Sequence, residues 1–300
     1  MSNGRRLDIG IASYKSLEKL RRTVAAIQAH SVTDWRLLIV HNPSDADGAD
    51  LYEELTELAD SDSRIYRRIL SENKGYAGAV NEILCWAKTE YIAYLDNDAY
   101  VETEGWDEKL CQVLDRWHEV GMVFPNGGAY PIQRGGYAEI MWGTGFAWVL
   151  NRIAMQDCCQ CDPDGLSTLF DTSLGHQEEA DYCLRMRMAG YRCGAVPEVR
   201  VRHDATATSD PASIERINRG VIRFVDKWCR YFGGKNLNYH SPNVLRWEDW
   251  PPNALYLEEW WRDKLPASVI QERDVITVEG RQYDLVKVPR LAGFYKGRII

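Results

Sequence analysis

Tyr91-Ile92-Ala93-Tyr94-Leu95 runs directly into Asp96-Asn97-Asp98. Five apolar residues in a row read as a buried strand, and a polar triplet of turn-forming residues closes it. Upstream, Ala77 to Ala87 has helical spacing, and Arg64 to Leu70 alternates like a strand. Residues 48 to 59 look helical. Trp35-Arg36-Leu37-Leu38-Ile39-Val40 is a second apolar strand, followed by the polar loop His41-Asn42-Pro43-Ser44-Asp45. Residues 16 to 29 put Leu17, Leu20, Val24 and Ile27 on one helical face, with Ser16 as the expected N-cap. Leu7 to Tyr14 is the first strand. Strands alternating with helices of about a dozen residues predict an α/β fold: a Rossmann-like, mostly parallel central sheet flanked by helices. Ligands of such sheets sit beyond the carboxyl ends of the strands, so functional residues are expected just after Ala12, Val40 and Leu95.

Downstream, the pattern predicts a helix over 104–118, a strand at Met122-Val123-Phe124, and a strand over Phe146 to Leu150. Between these strands, 126–145 reads as a loop rich in glycine, with Gly127, Gly128, Gly135, Gly136, Gly143 and Gly145. A helix over 178–189, a strand over 192–201 and a long amphipathic helix over 211–232 follow. The predicted division is a main domain over 1–238, with halves at 1–125 and 126–238, and an extension over 239–300. The extension crowds Trp247, Trp250, Pro251, Pro252, Trp260 and Trp261 around a short helix. It ends in a hairpin over Val275 to Val286 that turns at Glu279-Gly280.

Composition narrows the function classes. The chain has 36 basic and 44 acidic residues, a net charge of −8, which argues against a general nucleic-acid binder. No apolar run approaches the ~18 residues of a membrane span, and no signal-peptide core follows Met1. The cysteines at 85, 111, 158, 159, 161, 183, 193 and 229 form neither a disulfide framework nor a zinc spacing. Reduced thiols in a cytoplasmic protein are the expectation. Tryptophan outnumbers phenylalanine, 11 to 6, which fits a surface for flat or sugar-like ligands.

Two acidic groups carry chemistry. Asp96 and Asp98, at the mouth of the sheet, tolerate one another if a divalent cation lies between them; a plain turn is the other reading. Glu178-Glu179-Ala180-Asp181 opens a helix, where the positive end favours anions. Glu178, Asp181 and Arg185 share a face by their spacing, and Glu179 points about 100° away from Glu178.

Together these segments resemble the family 2 glycosyltransferases. The likeness rests on Ile11 to Tyr14, Asn73-Lys74-Gly75-Tyr76-Ala77-Gly78-Ala79-Val80-Asn81, Tyr94 to Ala99, Glu178 to Arg185, and Ala189-Gly190-Tyr191-Arg192, in that order, over about residues 6–205. The rhamnosyltransferase-like branch is the nearest in flavour. The resemblance implies the GT-A fold and a hexosyltransferase-type enzyme that moves a sugar from a nucleoside diphosphate sugar to a hydroxyl with inversion. It implies that Ala12, Ser13 and Tyr14 cup the nucleoside and that Asp96 meets its ribose side. Asp98 would bind Mn2+ or Mg2+, with His203 as a further ligand or a bystander. Asn73, Lys74, Gly75, Asn81 and Asn97 fall in donor-binding segments, and Trp142 and Gly143 in the region that approaches the sugar. Trp142 reads equally as core. Glu179 falls at the general base, with Asp181 as the fallback. The family's usual base-reading aspartate after the second strand is replaced by His41, with Asp45 or Asp47 as substitutes from the same loop. Uridine, thymidine and guanosine donors all stay open.

The alternatives are a sugar- or nucleotide-binding protein of the same fold without activity, and a nucleotidyltransferase. Ser13-Tyr14-Lys15-Ser16 lacks the glycine-rich, arginine-bearing loop the latter needs. The acceptor is a hydroxyl on a saccharide, a protein or a modified nucleic acid. The C-terminal tryptophans line an acceptor groove, form a homo-oligomer interface or staple the tail.

Overall fold

The computed structural model describes residues 6–45, 47–125, 132–162, 169–204, the helical positions 219–220, 223–224 and 227–228, and the backbone of three strands beyond 271. Strand β1 (Arg6–Ser13) leads into α1 (Leu17–His30), β2 (Asp34–His41), α2 (Ala49–Asp60), β3 (Ile65–Ile69), α3 (Gly75–Trp86) and β4 (Tyr91–Asp96). β1 lies between β2 and β4, and β2 carries β3, all in parallel. The predicted βαβ run is thus present.

Both faces of this sheet are covered, which explains strands without hydrophobic alternation. Leu7, Ile9 and Ile11 of β1, with Leu37 and Ile39 of β2, face α1 and α2 through Leu20, Val24, Ile27 and Leu55. Leu38 and Val40 face the other way, toward Val80, Ile83 and Leu84 of α3. Helix α1 begins where expected, yet the Ser16 hydroxyl makes no capping bond. Lys15 adopts left-handed backbone, with φ at 56°, and Ser16 leaves the extended conformation a capping side chain needs.

The second half departs from a simple parallel sheet. After β5 (Ala99–Val101), α4 (Trp106–Arg116), β6 (Val120–Pro125), β7 (Ile132–Gln133) and β8 (Ala138–Ile140) comes β9 (Ala147–Asn151), antiparallel between β4 and β6. Helix α5 (Arg152–Cys158) follows, capped by the Asn151 side chain, and then α6 (Glu178–Met188). With β10 (Arg192–Val196) included, the sheet order is β3-β2-β1-β4-β9-β6-β10-β8-β7. The stretch over 126–145, read as a loop, therefore contains two short strands. Gly127 and Gly128 lie outside the described residues.

The strand read over 192–201 is two. β10 (Arg192–Val196) pairs with β6 and β8. A turn closed by Val199 N–H on Val196 O then releases the chain from the main sheet. β11 (Val201–His203) pairs instead with β5, setting His203 opposite Ala99. β5 has only three residues and follows the DxD turn, so its pairing is invisible in periodicity.

β12 (Glu272–Val278) and β13 (Arg281–Lys287) pair antiparallel with Val278 opposite Arg281. β14 (Tyr295–Ile299) adds an unforeseen third strand. Most of the 211–232 helix, Cys229, the 238/239 boundary, the tryptophan cluster at 247–261 and the turn at 279–280 lie outside the described residues. Among the described residues no helix is long and apolar enough to cross a membrane.

Gly10 sets how closely α3 approaches β1. A Cβ there would stand 2.1 Å from Ile83 Cγ2. Gly10→Ala is expected to cost about 1–3 kcal/mol through overpacking, read as a lower urea midpoint with an unchanged slope.

Candidate active site

The parallel register brings three strand ends level. Ala12 stands between Val40 and Asp96, and Ser13 beside His41. Tyr14 is exposed just beyond, and Asn97 Nδ2 donates to its carbonyl at 3.2 Å. His41 does not present its ring edge to this mouth. It is buried, with Nε2 2.9 Å from Asp47 Oδ2 and Nδ1 3.3 Å from Ser13 Oγ. Asp47 also accepts from the Ser44 backbone N–H and hydroxyl, each at 2.7 Å. Burial raises its pKa, but the bonds from His41 and Ser44 outweigh this and hold it below the usual range. The expected base-reading histidine is therefore turned inward, and Asp47 is spent on the loop; Asp45 is exposed.

Asn42 has the organising role there. Its Oδ1 accepts from Lys74 N–H and its Nδ2 donates to Gly75 O, each at 3.0 Å. Asn73 Oδ1 accepts from Gly75 N–H at 2.8 Å, and Gly75 takes a φ of +70° that favours glycine. The Asn73-Lys74-Gly75 segment thus shapes the entry to α3. Asn81 is not at the mouth. It clamps the backbone of Phe170 through both amide atoms, at 2.9 and 2.8 Å. Trp142 is half-buried against the core, and Gly143 has the Phe124 ring 2.2 Å from where a Cβ would lie. Both serve packing. The glycine that opens the cleft is Gly145.

The DxD turn and the end of β11 form a compact polar cluster. His203 Nε2 stands 3.0 Å from Asp98 Oδ1 and 3.5 Å from Asp96 Oδ2. Phe146 stacks on the imidazole at 4.6 Å, and Tyr94 donates its hydroxyl to Asp96 Oδ1 at 2.5 Å. Lys19 Nζ reaches Asp98 Oδ2 at 3.0 Å and Asp204 O at 2.9 Å. One donor atom from each of Asp96, Asp98 and His203 lies within 4.8 Å of the others. Two carboxylates and an imidazole at a half-buried mouth suit a divalent cation. Burial lowers the His203 pKa, but hydrogen bonds to Asp96 and Asp98 dominate and raise it to about 9. A proton fills the place a cation would take.

Asp162, Asp171 and Asp181 form a second acidic group, but it already holds cations. Lys227 Nζ is 2.8 Å from Asp162, 2.8 Å from Asp171 and 3.0 Å from Asp181. Arg185 Nε donates to Asp181 Oδ2 at 3.0 Å, and Trp228 Nε1 to Oδ1 at 3.0 Å. Asp181 is fully buried, so it does not face an acceptor and the fallback base is set aside.

Glu179 is different. It lines a cleft of about 330 Å³ with Asp96, His203, Glu178, Tyr76 and Gly145. The Glu178–Asp181–Arg185 face is only partly as expected, since Glu178 also meets the cleft. Burial raises the Glu179 pKa to about 7; its own backbone N–H and Tyr76 pull downward, and the Asp96 charge pushes upward. Tyr76, Tyr94, Phe146, Lys19 and Gly145 escaped sequence reasoning as site residues. Only the segments that contain them carried a signal.

The comparisons complete this picture. Residues 8–153 match the family model described as Glycosyl transferase family 2. The likeness to this family runs from β1 to the start of α5. Over 104 residues it is 28% identical to the "Putative teichuronic acid biosynthesis glycosyltransferase TuaG" of Bacillus subtilis (strain 168), covering 35% of this chain and 40% of that one. Solved structures share the fold at low identity. GalNAc-T7 with UDP, GalNAc and Mn2+ superposes with a TM-score of 0.61 at 13% identity, over 77% of this chain and 49% of its own. The mannosyltransferase PcManGT of Pyrobaculum calidifontis, with GDP-Man and Mn2+, gives 0.56 at 15%, over 81% and 67%. S. aureus TarS 1-349 with UDP-GlcNAc gives 0.53 at 12%, over 74% and 67%. The chain thus spans under half the length of TuaG and of GalNAc-T7. The glycosyltransferase domain match ends at 153, before Glu179 and His203.

Two outcomes are expected. Asp181→Ala should lower folding stability by about 3 kcal/mol, because Arg185 and Lys227 lose a carboxylate partner in a dry site; an unchanged urea midpoint would show the network to be idle. A cation entering the DxD cluster must displace the His203 proton. Calorimetric affinity for Mn2+ should therefore rise about tenfold per pH unit up to about pH 9, with release of a proton, and an affinity flat in pH would remove His203 from the ligand set. In the metal-free protein the sign is opposite. The raised pKa stabilises the fold fully below about 6.5 and ceases to do so as pH rises through about 9.

Proposed function

We propose that this chain is a metal-dependent, inverting glycosyltransferase that moves a sugar from a nucleoside diphosphate sugar to an acceptor hydroxyl. One observation carries the reading: Glu179 and the Asp96–His203 side of the DxD cluster line the same cleft. An inverting transfer needs a base on the acceptor side and charge neutralisation on the leaving side. Separate groups for the two tasks keep the base from being consumed by coordination.

Asp96, Asp98 and His203 would hold Mn2+ or Mg2+, which when bound acts as a Lewis acid on the departing diphosphate. The exposed rim at Tyr14, Asn73, Lys74 and Gly75 is the proposed donor entrance. Ala12 and Ser13 contribute through backbone at the strand end, and Asn97 steadies Tyr14. Glu179 accepts the proton of the attacking hydroxyl as the new bond from oxygen to the anomeric carbon forms and the bond to the diphosphate oxygen breaks. A carboxylate with a pKa near 7 suits this exchange at neutral pH. The fold shared with proteins solved with UDP, GDP-Man and UDP-GlcNAc supports a nucleotide-sugar donor. Among the described residues the cysteines are free thiols, which supports a cytoplasmic setting. The rhamnosyltransferase-like branch and the division at 238 are proposed on sequence segments alone.

Glu179→Gln is expected to lose about 10²-fold or more in turnover while donor affinity stays near wild type. A panel of UDP-, GDP- and dTDP-sugars with Mn2+ measures both, by nucleoside diphosphate release and by thermal shift. Wild-type turnover should fall as pH drops through about 7, because only the charged carboxylate accepts a proton. Normal turnover in the Gln variant would overturn the base.

A further inference from the structure

Tyr76 is the second residue of α3 and has no role in the reading above beyond lining the cleft. Its position is unusually well determined. Asn42 and Asn73 fix the backbone that precedes it, through Lys74 and Gly75. Its ring stands edge-on to Tyr94 at 5.6 Å and to Phe170 at 6.1 Å. Packing alone would be served as well by phenylalanine, so the hydroxyl needs its own explanation. That hydroxyl donates to Gly145 O at 3.1 Å and lies 3.5 Å from Trp148 Nε1. Gly145 is also where Glu179 rests: a Cβ there would stand 2.0 Å from Glu179 Oε1. The Tyr76 hydroxyl draws the Glu179 pKa down against the effect of burial.

We propose that Tyr76 is a positioning residue for Glu179, its hydroxyl shared between the Gly145 carbonyl and the Glu179 carboxylate so that the carboxylate is held over Gly145. The catalytic meaning of this hold rests on reading Glu179 as the base; the hold itself does not. One hydroxyl proton serves two acceptors. It turns to Glu179 while that group is charged, and it satisfies the Gly145 carbonyl once Glu179 has taken a proton of its own. The indole N–H of Trp148 points at the phenol oxygen and keeps the ring from sliding out of the pair. An equivalent hold exists across the cleft floor, where Tyr94 donates to Asp96 at 2.5 Å. The two tyrosines touch edge to face, so the phenols beside Asp96 and Glu179 brace one another.

The test uses the protein alone. The titrating groups that face Glu179 are Asp96 and Tyr94 from β4, Tyr76 from α3 and Glu178 from α6, with Lys74, His176 and His203 on the cleft walls. Carboxyl ¹³C NMR of glutamate-labelled protein identifies the Glu179 resonance by its loss in Glu179→Gln. In Tyr76→Phe its midpoint is expected to move up by about one pH unit, because a bond to the charged form is gone. The melting temperature should stay within a few degrees. A midpoint unchanged in Tyr76→Phe overturns the inference, since a ring that only packs leaves Glu179 titration alone. Turnover separates this from the base assignment. Active Glu179→Gln sinks the base while a shifted midpoint still supports the hold; inactive Glu179→Gln with an unshifted midpoint sinks the hold and spares the base.

Discussion

His203 stands between two carboxylates because the chain abandons the main sheet at Val196 and pairs Val201–His203 with the three residues that follow the DxD turn. The remainder of the site depends on that short antiparallel contact. It ties the last strand of the α/β unit to the first turn beyond β4, and Asp204 N–H on Asp98 O extends it by one bond. Phe146 closes over the imidazole, and Lys19 reaches across from α1 to the same aspartate. Two distant segments thereby reach one carboxylate, and a third covers the imidazole beside it. The charge balance at this point is carried by a proton on His203 and an ammonium on Lys19, both of which a divalent cation would have to reckon with.

Helix α6 shows how one acidic run serves two purposes. Its first turn offers Glu178, Glu179 and Asp181, and the 100° step per residue sends them apart. Asp181 goes inward, where Arg185, Lys227 and Trp228 satisfy it. Such a buried network is costly to break, and it holds the helix in one rotation. Glu179 then has no choice but the cleft. Glu179 inherits its orientation from a neighbour withdrawn from the cleft, and its affinity for protons from burial beside Asp96.

The strand–helix alternation through the end of β4 was legible because both faces of the sheet are apolar and each helix has a single buried stripe. The DxD motif and the acidic start of α6 were legible for the same reason: each sits at the end of an element whose period is plain. The resemblance places His41, Asn81 and Gly143 in donor-binding segments, whereas the contacts they make in the fold are packing or clamping ones, and Trp142 packs against the core. Residue type at a motif position does not reveal which way a side chain faces. That depends on the partner it finds, Asp47 for His41 and the Phe170 backbone for Asn81.

By itself the sequence determined the α/β class, the mostly parallel sheet, the position of the acidic turn at its mouth and the candidacy of Glu179. These follow from local periodicity and from charges placed at element ends, which are properties of neighbouring residues. Only the tertiary structure decided that His203 belongs with Asp98, that Asp181 is withdrawn from the cleft, and that Tyr76 and Gly145 share the space of Glu179. Each of these is a contact between residues tens to more than a hundred positions apart. Such contacts arise from which short strands pair and how closely helices approach, and neither quantity leaves a period in the chain.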